Sequence, residues 1–175
     1  ALTDNNGTST GVTSSSVYVQ LKRISDSKFL LCYKNSNQYD CIIGTKSGTS
    51  ISFGTFVRIH SYPEHSLGSY GSYDSGVVVL STSHALVCTP GQVYNYNNEE
   101  LDPSICYLLT IDATSVTVLN QIEVFPIEFS FNEFSFVLQT VSSTEAILCK
   151  ESFYSDCVVL TVDNNIITVG EYDTN

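Results

Sequence analysis

The stretch Ile24-Ser-Asp-Ser-Lys-Phe-Leu-Leu-Cys32 decides how the chain is read, because its pattern returns as Leu80-Ser-Thr-Ser-His-Ala-Leu-Val-Cys88 and as Val141-Ser-Ser-Thr-Glu-Ala-Ile-Leu-Cys149. Each copy runs apolar residue, Ser, a variable position, Ser or Thr, a second variable position, three small or apolar residues, Cys. The polar centre is turn chemistry, since a short hydroxyl side chain bonds nearby backbone, and the apolar flanks read as strands. A second cysteine follows in each copy, at Cys41, Cys106 and Cys157, with a Thr four residues on (Thr45, Thr110, Thr161) and a branched apolar residue ten on (Ile51, Val116, Ile167). The chain is a threefold repeat.

Outward from that phrase, residues 1–16 are rich in Thr, Ser, Asn and Gly and read as a lead-in loop or linker. Repeat one, residues 17–60, contains predicted strands Val17–Ile24, Lys28–Lys34, Tyr39–Thr45 and Ser50–Ile59, with Gly54 marking a bulge or a close approach. Repeat two, residues 61–124, contains Val77–Leu80, His84–Cys88, Ile105–Ile111 and Val116–Val124, and its middle loop is about nine residues longer than the one in repeat one. Repeat three, residues 125–175, contains Phe134–Val141, Glu145–Lys150, Cys157–Val162 and Ile166–Tyr172. No segment carries the three-and-four periodicity of a helix. The expectation is an all-β protein of about twelve strands, in three four-stranded antiparallel repeats.

The 175 residues are 42% hydrophobic, enough to bury a core, and no apolar run approaches the roughly 18 residues that span a membrane. A net charge of −11 gives no footprint for nucleic acid and no attraction to an anionic membrane surface. The acidity reads first as solubility and repulsion between copies. Calcium is the weaker reading, with Asp4-Asn5-Asn6-Gly7 and Asp163-Asn164-Asn165 as ion loops, although such strings more often form turns.

Each repeat owns two cysteines, separated by 9, 18 and 8 positions, so the economical pairing is Cys32–Cys41, Cys88–Cys106 and Cys149–Cys157. These spacings are not zinc knuckles, and no His stands consistently against a Cys. Disulfides imply an oxidising compartment: secreted, lumenal, or on a cell or virion surface. The sequon Asn6-Gly-Thr8 points the same way as a glycosylation site. First cysteines lie 56 and 61 residues apart, and a second copy joined tail to head would give 58. That frame, together with the absence of Met, suggests an excised unit of a tandem array or a domain whose ends meet around a threefold axis.

Ser25-Asp-Ser-Lys-Phe-Leu-Leu-Cys-Tyr33, Cys41-Ile-Ile-Gly-Thr45 and Ser47-Gly-Thr-Ser-Ile-Ser-Phe-Gly54 resemble the blade repeats found in tandem in large secreted and phage-structural proteins. In repeats two and three the last phrase is reduced to Ala113-Thr-Ser-Val-Thr-Val-Leu119 and Asn164-Asn-Ile-Ile-Thr-Val-Gly170. The resemblance implies four-stranded modules of the β-propeller blade type and says little about activity. Three blades are fewer than the roughly four to eight of closed propellers, so an array continues, copies assemble, or the fold is a β-trefoil. The Q-x-W signature of ricin-type trefoil lectins is absent, and the chain has no Trp.

No catalytic constellation stands out. His60 and His65 fall in the first connection, and His84 occupies a variable position whose siblings are Lys28 and Glu145, which marks it as a solvated strand residue. There is no G-x-S-x-G and no phosphate loop, and Glu99, Glu100 and Asp102 form a poor carboxylate pair because a loop fixes them loosely. Tyr62, Tyr70, Tyr73, Tyr94 and Tyr96 sit among Asn and Ser in connecting loops, while Phe125, Phe129, Phe131 and Phe134 read as packing residues.

The expectation is a non-enzymatic, extracellular structural repeat protein without cofactor. Its disulfide-stapled modules would self-associate into a filament, appendage or surface array. The alternative is an adhesin or lectin that binds a glycan or surface protein through Tyr94, Asn95, Tyr96 and Asn97, since Tyr and Asn make contact surface at low entropic cost.

Overall fold

A computed structural model describes residues 17–35, 38–61, 75–91, 103–125, 135–151 and 156–174. These form only strands and their connections, in three antiparallel sheets. Sheet one contains β1 (Val17–Arg23), β2 (Lys28–Asn35), β3 (Gln38–Ser47), β4 (Ser50–Phe53) and β5 (Val57–Ser61). Sheet two contains β6 (Gly76–Val79), β7 (His84–Thr89), β8 (Ser104–Ile111) and β9 (Val116–Val124). Sheet three contains β10 (Ser135–Thr140), β11 (Glu145–Glu151), β12 (Asp156–Asp163) and β13 (Ile166–Thr174). Strands follow chain order within each sheet, and no described sheet closes on itself.

Sheet one differs from the others in one respect. Its fourth strand is two pieces, β4 pairing with one end of β3 and β5 with the other. The break falls at Gly54, where an added methyl would overlap the carbonyl oxygen of Thr114 in the β8–β9 turn, and Thr55 N–H donates to that same oxygen at 3.2 Å. Only a residue without Cβ lets the two backbones meet there.

The repeated phrase folds into the same turn three times. The carbonyl of Lys28 accepts from Ile24 and Ser25 N–H, that of His84 from Leu80 and Ser81, and that of Glu145 from Val141 and Ser142, all at 2.9–3.2 Å. The recurrent Ser closes each turn from inside. Ser25 Oγ accepts from Lys28 N–H at 3.2 Å, Ser81 Oγ from His84 N–H at 3.1 Å, and Ser142 Oγ from Thr144 N–H at 3.2 Å. The residue two after that Ser offers its carbonyl to the third strand: Ser27 to Lys46, Ser83 to Ile111 and Thr144 to Val162, at 2.7–2.8 Å. A Ser at the first position supplies an acceptor for amides that the strand ladder leaves unpaired, which explains its return. The Asp163-Asn164-Asn165 string is a two-residue hairpin between β12 and β13, with φ of 50° and 64° at the two Asn residues. Both central residues of such a hairpin need positive φ, which Asn tolerates.

The sheets stack face to face, with sheet two in the middle. Toward sheet one, sheet two sends Val77, Ala85, Val87, Tyr107 and Leu109, which pack with Leu30, Cys32, Tyr39, Cys41 and Ile43. Its other face sends Val78, Leu86, Cys88, Cys106 and Leu108 against Phe136, Leu138, Ala146, Leu148, Val158 and Leu160 of sheet three. Alternation along a strand puts odd and even residues on opposite faces, so a sheet covered on both sides reads as a continuous apolar run. That is why Ala85-Leu-Val-Cys88 shows no period of two.

First strands run beside first strands along one edge of the stack. Gln20 Nε2 donates to the Ser75 carbonyl, and Thr140 Oγ1 donates to the Val79 carbonyl at 3.3 Å. At Gly76 a Cβ would lie 2.6 Å from Cβ of Leu138, so the crossing of β6 and β10 depends on a bare backbone. Sheet two hands over to sheet three at Phe125, a buried residue at φ 51°. Its N–H donates to the Tyr172 hydroxyl at 3.1 Å, and its ring lies 5.7 Å from Phe136 and 5.4 Å from Tyr172. A bulky side chain in the left-handed region is costly, and this one is held there by contacts on both sides.

Candidate functional site

The three disulfides, Cys32–Cys41, Cys88–Cys106 and Cys149–Cys157, each join directly opposite residues on the second and third strands of a sheet. The paired Cα atoms are 4.0–4.1 Å apart, the narrow kind of antiparallel pair, whose side chains already face each other closely. Three intramolecular disulfides fit an oxidising environment.

Every bridge lies on the same side of its sheet, and that side is covered in sheets one and two but not in sheet three. Two residues before the first Cys stand Leu30, Leu86 and Ile147; two after the second stand Ile43, Leu108 and Val159. Leu30, Ile43, Leu86 and Leu108 are each 0% exposed, whereas Ile147 is 38% and Val159 42% exposed. Cys32, Cys41, Cys88 and Cys106 are fully buried, while Cys149 and Cys157 are half-buried. Register places Val137 beside Cys149, and Gln139 beside Ile147. The last sheet therefore presents Val137, Ile147, Val159 and a disulfide to solvent, in positions whose counterparts form the core. This open face is the candidate functional site.

At the opposite end of the stack, the outer face of sheet one is partly closed by its own side chains. Leu31, Tyr33 and Ile42 are buried beneath Phe29, Phe53 and Phe56. Beside this patch Val19, Leu21 and Ile51 are more than half exposed. Phe29 and Phe53 meet edge to face with centroids 6.0 Å apart. On the same face Asp40, 3% exposed, accepts from Arg58 Nε at 3.4 Å, and Arg58 also donates to the Gln38 amide oxygen at 2.5 Å. Burial raises the Asp40 carboxyl above its ordinary value, and the Arg58 guanidinium works against that rise. The Tyr33 hydroxyl, buried and without a hydrogen-bond partner among the described residues, is pushed up to about 12, by burial first and by Asp40 second.

A different polar contact sits in the seam between sheets one and two. His60, on β5, places Nδ1 2.6 Å from the Tyr107 hydroxyl of β8. Its pKa is lowered to about 4, by burial and then by nearby Lys34. His60 is thus a neutral seam residue near neutral pH. It lies within a strand, one residue beyond the predicted end at Ile59, and its partnership across sheets leaves no trace in local sequence.

His84 is half-buried and bridges sheets, with Nδ1 3.0 Å from Ser83 Oγ and Nε2 3.2 Å from Asn165 Oδ1 in the β12–β13 turn. This is more structure than the solvated position expected from its repeat siblings. Among the described residues no three His, Cys, Asp or Glu side chains group so as to hold a metal ion.

The long loop of repeat two is rooted by the Cys88–Cys106 bridge and by Gly91 N–H donating to buried Ser104 Oγ at 2.9 Å. Tyr94, Asn95, Tyr96 and Asn97 lie outside the described residues, as do Glu99, Glu100, Asp102, His65, Tyr62, Tyr70 and Tyr73. The same holds for Asn6 with its sequon, for Asp4-Asn5-Asn6-Gly7, and for Phe129, Phe131 and Phe134. Compared with models of protein families, with curated proteins and with solved structures, the chain finds no match in any of the three.

Proposed function

We propose that this chain is a non-enzymatic, extracellular structural repeat protein, whose disulfide-clamped sheets act like propeller blades and associate with copies of themselves in a filament, appendage or surface array. The observation that carries this reading is the open face of sheet three. Each of the other two sheets uses its bridge-bearing face to bury the next sheet, and the third repeats that face with nothing described against it.

Apolar side chains at Val137, Ile147 and Val159 gain nothing from water. Burial is worth about 25 cal/mol per Å² of apolar surface, so a second layer on this face is favourable in proportion to the area it covers. Stacked repeats meet that need as solenoids and blades do, by using neighbours as cover.

Sedimentation of the oxidised protein across a concentration series tests the reading. The expected result is concentration-dependent growth beyond the monomer; a species that stays monomeric up to millimolar concentration overturns it.

A further inference from the structure

Charge is distributed unevenly along the stack. Six of the seven bases, Lys22, Arg23, Lys28, Lys34, Lys46 and Arg58, belong to residues 17–61, which hold two acids, Asp26 and Asp40, for a net of +4. Residues 135–174 hold Glu145, Glu151, Asp156, Asp163, Glu171 and Asp173 against Lys150, for a net of −5. The first and last sheets of a protein with net charge −11 thus carry opposite signs.

On the outer face of sheet one register places Arg23, Lys46 and Arg58, with Asp26 paired to Arg23 and Asp40 to Arg58, while Lys22, Lys28 and Lys34 alternate onto the side of Leu30 and Cys32. Register puts Lys46 beside Ile51 and Arg23 beside Phe29 on the outer face of sheet one, where Leu21 pairs with Leu31 and Val19 with Tyr33. Arg23, Lys28 and Lys46 line a shallow groove at that edge together with Phe29, Ile51 and Asp26, which pairs with Arg23. On sheet three, Glu145 pairs with Thr161, the next row beyond Ile147 and Val159 on the open face.

We infer that the open face of sheet three receives the outer face of sheet one from a second copy of this chain, a head-to-tail contact that repeats between molecules the stacking seen within one. This deepens the assembly reading above and rests on it. Two arguments select this occupant. The contact continues an existing pattern, since the bridge-bearing face of sheet one meets the opposite face of sheet two, and that of sheet two meets the opposite face of sheet three. It also sets a face with one more base than acid against one that carries Glu145, whereas two copies of sheet three meeting face to face would set like charges together. Such a contact is heterologous: it either closes into a ring or runs on as a filament. Two copies would bring six sheets together, within the roughly four to eight of closed propellers.

Two paired variants test the interface. Ile147→Lys with Val159→Lys makes the last face repel a basic partner; Leu21→Glu with Ile51→Glu makes the first face repel an acidic one. All four positions are exposed in the single chain, so a thermal melt matching the parent at micromolar concentration serves as the folding control. By sedimentation in about 0.05 M salt, each variant alone is expected to associate at least tenfold more weakly than the parent. An equimolar mixture of the two is expected to recover association, because each supplies the parent face that the other lacks. Parent association is expected to weaken as salt rises to about 1 M, where screening shortens to roughly 3 Å. If the parent assembles and either variant assembles equally well, or if the mixture stays monomeric, this interface is wrong while self-assembly stands. A parent that never associates removes both.

Discussion

Sheets two and three share a plan of four antiparallel strands, the same Ser-centred turn and one cross-strand disulfide, yet their bridge-bearing faces meet opposite environments. Leu86 and Leu108 are sealed between layers; Ile147 and Val159, at the matching positions, face water. Because local sequence is alike in the two, the difference comes from position in the stack and not from the strands themselves. The lesson is that a repeat encodes a face, and a neighbour decides whether that face is core or contact surface.

The sharpest way to break this contrast is to cut both faces back equally. Leu108→Ala is expected to cost about 2–5 kcal/mol, since it leaves a void between packed layers. Val159→Ala, measured by urea unfolding at a concentration that keeps the protein monomeric, is expected to cost under about 1 kcal/mol. Equal losses would show that Val159 is already covered in the single chain.

Removing bridges should give a smaller separation in the same direction. The Cys88–Cys106 bridge spans 18 positions and is buried; Cys149–Cys157 spans 8 and is half-buried. In the chain-entropy picture the longer loop contributes about 0.7 kcal/mol more, and truncating buried sulfurs adds a packing loss. Replacing Cys88 and Cys106 by Ala should therefore lower the urea midpoint further than replacing Cys149 and Cys157. The reverse order would contradict the layered core.

The smallest expected effect lies at the seam of sheets one and two. In the unfolded chain the His60 imidazole takes up a proton near its ordinary value of about 6.5, whereas in the folded protein it does so only near 4. Between those values the unfolded state binds more protons, so this group makes stability rise with pH and fall on acidification from 6.5 toward 4. Allowing for its partial exposure, the loss is up to about 2 kcal/mol. Thermal melts of the parent and of His60→Gln over that window should diverge, with the variant showing the flatter profile. Parallel profiles would mean that His60 is protonated in the folded seam.

Turns and strands were legible because their causes are local. Ser25, Ser81 and Ser142 announce their turns through the hydroxyl each must supply, and Asn164-Asn165 announces a hairpin through its tolerance of positive φ. Gly54 was legible as a bulge or a close approach, but its partner was not, since what approaches it is Thr114, sixty residues away. The candidate site was not legible at all. Ile147 and Val159 read like Leu30 and Ile43, and exposure is a property of what lies opposite, which the strand's own residues do not record. His60 and Asp40 escaped for the same reason, their partners Tyr107 and Arg58 being fixed by the fold and by register.

One consequence of the bridges concerns mechanics. All three close hairpins within a sheet, and none ties one layer to the next. A pull on the two ends of the chain would therefore peel layers apart along their greasy seams, while each locked hairpin keeps the chain between its sulfurs out of the stretch. Under load the 9, 18 and 8 positions between the paired sulfurs would add nothing to the extended length.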